Sequence, residues 1–280
     1  MQQSLLKTIT HYAETCGDVA ALVLIGSRAR TDRKADAFSD IDLIMIVKDA
    51  EPFIRSDSWL QEIGGFHITF TEATISGQTE RRVMFDNAQD VDFVIMDEDA
   101  AMQALRQGDA VGVFNRGYRV LVNKHHVKFP ERTPGAAFTP AAEAEYLNNT
   151  HDFWYHTIWT TKKLLRGELW AAKFCADGYM KWKLLWMIEQ YEHTVRKSGG
   201  DTWYAGRFVD SWAADDVLGD LKSTFAHYDR ADIAAALLET MKLFRRLAQA
   251  VAQTCGFEYP IHADDYATKW VLARLDPFLT

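Results

Sequence analysis

Near residue 130 the chain changes its hydrophobic period, and that change restricts its fold more than any other feature. The segment PERTPGAAFTP (130–140) holds three of the six prolines and one glycine, residues that interrupt helices and strands alike. Ahead of it, short apolar runs and alternating stretches succeed one another, as in a domain mixing strands with helices. Behind it the spacing is helical throughout. The pattern predicts an α+β chain: an N-terminal α/β domain with a mixed sheet over residues 1–134, then a C-terminal α-helical bundle over 135–280.

The first half reads as follows. MQQSLLKTITHYAETCGD is a short amphipathic helix without the apolar core of a cleavable leader. Val19 to Ile25 is a continuous apolar run that ends in Gly26-Ser27, the mark of a buried strand. After the loop TDRKADAFSD, Ile41 to Val47 forms a second strand. Pro52 to Ile63 has helical spacing, and Phe66 to Phe70 is a short strand. Val83–Phe85 and Val91–Met96 flank Asp86-Asn87-Ala88-Gln89-Asp90 as a hairpin, and Gly117 to Asn123 is an edge strand. Beyond the linker, helices are expected near 140–166, 169–197, 213–227, 231–255 and 263–275.

Charge narrows the function. With 31 Lys and Arg against 39 Asp and Glu, the formal net charge is −8. A nucleic-acid partner is not expected, because phosphate binding needs a basic surface. A cationic small molecule suits the acidic balance better. Cys16, Cys175 and Cys255 are far apart and lack metal-finger spacing, so they read as reduced thiols of a cytoplasmic protein. No apolar run reaches the length of a membrane span, so no membrane partner is expected.

The chemistry is concentrated in Gly26-Ser27-Arg28, Asp40-Ile41-Asp42 and Asp92. Alternate strand residues face the same way, so Asp40 and Asp42 share a face. If the strand of Asp92 lies alongside, three carboxylates converge. Unpaired carboxylates at close range are costly in an interior. A hard divalent cation relieves them, and Mg²⁺ completes its shell with water and substrate phosphates. Two such ions would clamp the attacking and leaving oxygens of an in-line displacement. Glycine lets the main chain approach a phosphate, Ser27 adds a hydroxyl donor, and Arg28 and Arg30 add positive charge. Taken singly, a Gly-Ser turn or an Asp-x-Asp strand is common. Their order along the chain, with Asp42 set between Ile41 and Leu43, is the more specific signal.

Gly26-Ser27-Arg28 followed by Phe38-Ser39-Asp40-Ile41-Asp42-Leu43 resembles the signature of the polymerase-β-type nucleotidyltransferases. Within that superfamily the chain is similar to the aminoglycoside 6-adenylyltransferases, the streptomycin-modifying enzymes. The likeness extends through Glu51-Pro52-Phe53-Ile54, Trp59-Leu60, Asp92, Asp152-Phe153-Trp154, Leu184-Leu185, Met187-Ile188, Tyr259-Pro260 and Thr268-Lys269. The resemblance implies ATP as co-substrate and AMP transfer to an aminoglycoside hydroxyl, with Mg²⁺ and pyrophosphate release. Asp40 and Asp42 would then be metal ligands, and Asp92 a third ligand or the base for the acceptor's proton. Lys181 would touch the triphosphate from the helical domain, with ATP held between the two domains. Trp186 and Phe174 stand where the family has a basic residue and an acid, which bears on the acceptor's identity.

Other acceptors, namely another antibiotic or a protein hydroxyl, suit the same machinery, and a catalytically silent nucleotide-binding module is the rival from another class. Asp152 and His156 lie one helical turn apart and would meet a cationic acceptor; a ligand-free surface pair has the same spacing. Phe153, Trp154, Tyr155, Trp159, Trp182 and Trp186 fall at helical intervals, and most are expected in the core.

Overall fold

The computed structural model describes residues 2–30, 35–74, 77–107, 111–131, 138–202 and 204–279. The chain forms two compact units, Met1–Ala137 and Phe138–Thr280. The expected boundary and the core of the proline-rich linker, 132–137, lie outside the described residues, as do residues 31–34 of the loop before Asp40.

The first unit is built on six strands: β1 (Val19–Leu24), β2 (Ile41–Val47), β3 (Phe66–Ala73), β4 (Thr79–Phe85), β5 (Gln89–Asp97) and β6 (Arg119–Asn123). Their order is β3-β4-β5-β2-β1-β6. β2 and β5 run parallel while the other neighbours are antiparallel, so the sheet is mixed. One face carries Ile41, Leu43, Met45, Val91, Phe93 and Ile95, packed against Ile9, Tyr12 and Ala13 of helix α1 (Gln2–Thr15). Trp59 anchors this side, its ring 5.1 Å from Phe93 and 5.8 Å from Tyr12. The other face carries Ile44, Ile46 and Met96, which pack with Ala101 of α3 (Glu98–Gln107) and Phe114 of α4 (Val111–Arg116). These two helices were not expected from the sequence. Asp42 and Asp92 lie on the same face as Ile44 and Met96 by the two-residue alternation of a strand.

The stretch Pro52 to Ile63 is not one helix but a short α2 (Glu51–Arg55) and a 3₁₀ segment, Ser58–Glu62. Ser56 is extended (φ −112°, ψ 145°). The buried Arg81 takes up the carbonyls that a continuing helix would have used: its Nε donates to Phe53 O at 3.1 Å and its Nη2 to Ile54 O. β3 runs three residues beyond the expected Phe70, because it pairs with β4 as far as Ala73↔Thr79.

Among the described residues the second unit's regular elements are helices: α5 (Glu143–Leu165), α6 (Leu169–Phe174), α7 (Met180–Tyr191), α8 (Val209–Trp212), α9 (Asp215–Leu221), α10 (Arg230–Cys255) and α11 (Ile261–Leu279). The helix expected over 169–197 is one rod with wider π turns at Cys175–Tyr179 and Glu192–Arg196. Asp229 caps α10, its side chain accepting from Ala231 N and Asp232 N, and Gly256 ends it at φ 73°. Arg245 of α10 grips the buried Asp264 of α11 with two hydrogen bonds of 2.6 Å. Tyr259 Oη and Thr268 Oγ1 also donate to that carboxylate, at 2.6 and 2.9 Å. Phe153 and Trp154 are core, as expected, whereas Tyr155 and Trp182 are exposed. No helix among the described residues is long and apolar enough to cross a membrane.

Candidate active site

The parallel register of β2 and β5 sets Asp42 opposite Asp92, and the site follows from that pairing. Asp40 lies one residue before β2 rather than within it, so it owes its place to the loop. Arg28 holds that loop: its Nε donates to Asp40 O at 2.7 Å and its Nη2 to Ser39 O. The outcome is the convergence expected from sequence. One carboxylate oxygen from each of Asp40, Asp42 and Asp92 lies within 4.8 Å of the others.

Burial makes this cluster demanding. Asp92 is 7% exposed. That burial pushes its carboxyl up to about 7, against the opposing pull of Arg82; Glu80, Asp40 and Asp90 add to the rise. Three carboxylates so placed could hold a hard divalent cation, which would keep them ionised.

Gly26 lies against Asp42 in a 3₁₀ turn one residue after β1, Gly26–Arg28, which also carries Ser27. Gly26 has φ +65°, and a Cβ there would fall 1.8 Å from Asp42 Oδ2. Only glycine fits on both counts. Ser27 Oγ is buried and has no hydrogen-bond partner. An orphaned buried hydroxyl in the turn next to Gly26 fits a site that receives a further polar group.

Arg28 serves the main chain of the Asp40 loop, so its guanidinium acts on the cluster through the backbone of Ser39 and Asp40. Lys181 is likewise engaged within its own unit. Its Nζ donates to Ala176 O at 2.8 Å and Thr240 Oγ1 at 3.0 Å, and lies 3.8 Å from Asp177 Oδ1. Burial lowers its ammonium to about 8. Asp152 and His156 share a face of α5, with Asp152 Oδ1 2.6 Å from His156 Nδ1. Tyr179 Oη and Lys183 Nζ reach Asp152 Oδ2 at 2.7 and 2.6 Å. These donors, with His156 adding its attraction, hold the Asp152 carboxyl below the usual range despite partial burial.

Sequence reading missed Arg82, Glu80 and Glu72 beside the carboxylates, and Lys183 and Tyr179 beside Asp152. The first group was within reach. A hairpin turning at Asp86–Ala88 pairs Val83 with Val91 and therefore Arg82 with Asp92.

A glycine-serine turn after one strand, two aspartates at the start of the next and a third on its parallel neighbour define a nucleotidyltransferase. The chain belongs to the streptomycin adenylyltransferase family, whose model matches residues 1–273. It is 21% identical to the aminoglycoside 6-adenylyltransferase of Bacillus subtilis (strain 168), over 96% of each protein. It is 22% identical to that of Campylobacter jejuni, over 95% of this chain and 93% of the other. The crystal structure of an aminoglycoside 6-adenyltransferase from Bacillus subtilis aligns over 98% of both chains, with 17% identity and a TM-score of 0.47.

Proposed function

We propose that this chain transfers AMP from ATP to a hydroxyl of an aminoglycoside of the streptomycin type, with Mg²⁺ required and pyrophosphate released. The in-register pairing of Asp42 with Asp92, which gathers three carboxylates within 4.8 Å beside Gly26 and Ser27, is the observation that carries this reading. Family membership and the names of the relatives support the donor and the acceptor class.

A pair of Mg²⁺ ions held by Asp40, Asp42 and Asp92 would polarise phosphoryl oxygens and neutralise developing charge. The chain's own residues do the rest. Gly26 keeps the space beside Asp42 clear for a phosphate, and Ser27 Oγ donates to a phosphate oxygen. The acceptor oxygen bonds to the α-phosphorus as the bond to pyrophosphate breaks. Asp92, the third carboxylate of the cluster, receives the hydroxyl proton. Arg28 fixes the Asp40 loop, and positioning supplies most of the acceleration. We assign Lys181 to the interior of the helical unit rather than to the triphosphate, because its ammonium already serves Ala176 and Thr240.

Asp152 and His156 are the helical unit's acceptor contacts in this reading. Because Lys183 already pairs with Asp152, a cationic amine gains the carboxylate only in exchange for that ammonium. Asp152→Asn should therefore raise the acceptor KM, by an amount corresponding to roughly 1.5–3 kcal/mol for a charge-assisted hydrogen bond. Lys183→Met should lower it, and neither change should alter the KM for ATP. Steady-state kinetics with each substrate varied distinguishes these effects. The reaction itself is tested by pyrophosphate release from ATP and Mg²⁺ across an aminoglycoside panel. Release with streptomycin and its relatives supports the proposal, whereas release only with a different hydroxyl acceptor overturns the acceptor assignment.

A further inference from the structure

Arg82 lies between two sets of acids. It is the β4 partner of Asp92, and its Nη2 stands 3.7 Å from Asp92 Oδ2. On its other side Nε lies 2.7 Å from Glu72 Oε1 and 3.3 Å from Glu80 Oε2. Glu72 and Glu80 are themselves opposite each other in the β3–β4 register, on the same face as Arg82. The Arg82 side chain is 44% exposed and that of Asp92 10%, so the cation can shift toward solvent and the acid cannot. A single residue thus bridges the most buried member of the carboxylate cluster and a pair of glutamates outside it.

We propose that Arg82 is a positioning residue that acts as an exchangeable countercharge for the metal site. Without metal it offsets the charge of Asp92; when a divalent cation takes that carboxylate, Glu72 and Glu80 retain the guanidinium. The inference rests on the metal-binding reading above. The physical argument is that a dication and a guanidinium repel each other at this range, so the two compete for Asp92. A cation displaced into solvent would cost its ion pair, and two waiting carboxylates lower that cost. The fork of Arg suits this better than a point charge, since it can turn among three acids without losing every hydrogen bond.

The experiment is a double-mutant cycle on metal affinity, read by titrating Mn²⁺ into the nucleotide-free protein and following free Mn²⁺ by electron paramagnetic resonance. Removing the competitor in Arg82→Gln should tighten Mn²⁺ binding, roughly tenfold for a unit charge at such short range. Removing the retaining acids in Glu72→Gln/Glu80→Gln should weaken it, because Arg82 then has Asp92 as its sole acidic partner in this set. Combining all three changes decides between mechanisms. If the glutamates act through Arg82, their effect on Mn²⁺ affinity shrinks or vanishes in the Arg82→Gln background. If they act only as distant negative charges, the effects add, and the proposal is overturned. Should Arg82→Gln not fold, Arg82→Met takes its place in the cycle, since it also removes the charge while keeping the apolar stem. Unchanged affinity in Arg82→Gln overturns the inference while leaving the metal site standing. Failure of the unmodified protein to bind Mn²⁺ overturns the metal site itself.

Discussion

At Asp92 the cost of burying a carboxylate sets a pH dependence. Its pKa in the folded chain, about 7, lies above the roughly 3.9 of an exposed aspartate. Between those values the folded state binds more protons than the unfolded one, so stability falls as pH rises through that window. The contribution is complete below the unfolded pKa and lost above the folded one. Metal-free protein should therefore melt at a lower temperature at pH 8 than at pH 5, and Asp92→Asn should flatten that slope. The same variant, like Asp40→Asn and Asp42→Asn, should lose nearly all turnover while keeping or raising the metal-free melting temperature. Activity near that of the unmodified protein in any of the three would overturn the assigned roles. Gly26→Ala tests the other side of the site. A methyl 1.8 Å from Asp42 Oδ2 on a backbone at φ +65° must push the carboxylate away, so turnover and Mg²⁺-induced stabilisation should fall together.

Among the elements, helix ends are where sequence and stability meet most directly. Asp229 satisfies two of the orphan N–H groups of α10, so Asp229→Ala should cost about 1 kcal/mol in denaturant melts and leave catalytic constants unchanged. The elements also show what could be read in advance. β1, β2 and β5 were legible because a buried strand is a continuous run of apolar, β-branched residues, and Asp42 stood out because it interrupts one. The break between α2 and the 3₁₀ segment was not legible. It depends on Arg81, a residue more than twenty positions away whose guanidinium binds the carbonyls of Phe53 and Ile54. Helix α3 was legible but overlooked, since Ala101 and Leu105 fall one turn apart within Glu98–Gln107 and join the apolar cluster on the sheet. The pairing of Lys183 with Asp152 joins α7 to α5, a tertiary contact that no local period encodes.

For the whole molecule, stability resides in three apolar clusters, one on each face of the sheet and one in the helical unit. In the helical unit Arg245 and the buried Asp264 tie α10 to α11, and Tyr259 and Thr268 supply further hydrogen bonds to the carboxylate. Removing Asp264 leaves the half-buried Arg245 without its counterion and Tyr259 and Thr268 without their acceptor, which costs about 2–3 kcal/mol. Asp264→Ala should thus destabilise the helical unit by that order in denaturant melts, while Mg²⁺ should still stabilise the first unit. Loss of both responses together would mean that the two units melt as one. The pairing of Asp42 with Asp92 has a consequence of another kind. A slip of one residue between β2 and β5 would turn Asp92 into the apolar face occupied by Phe93 and send Phe93 to the carboxylates. Metal affinity therefore works as a gauge of strand alignment. On a growing chain the gauge reads nothing until β5 has been laid beside β2, some fifty residues after Asp42 was made, and from then on only the correctly aligned sheet is rewarded by the cation.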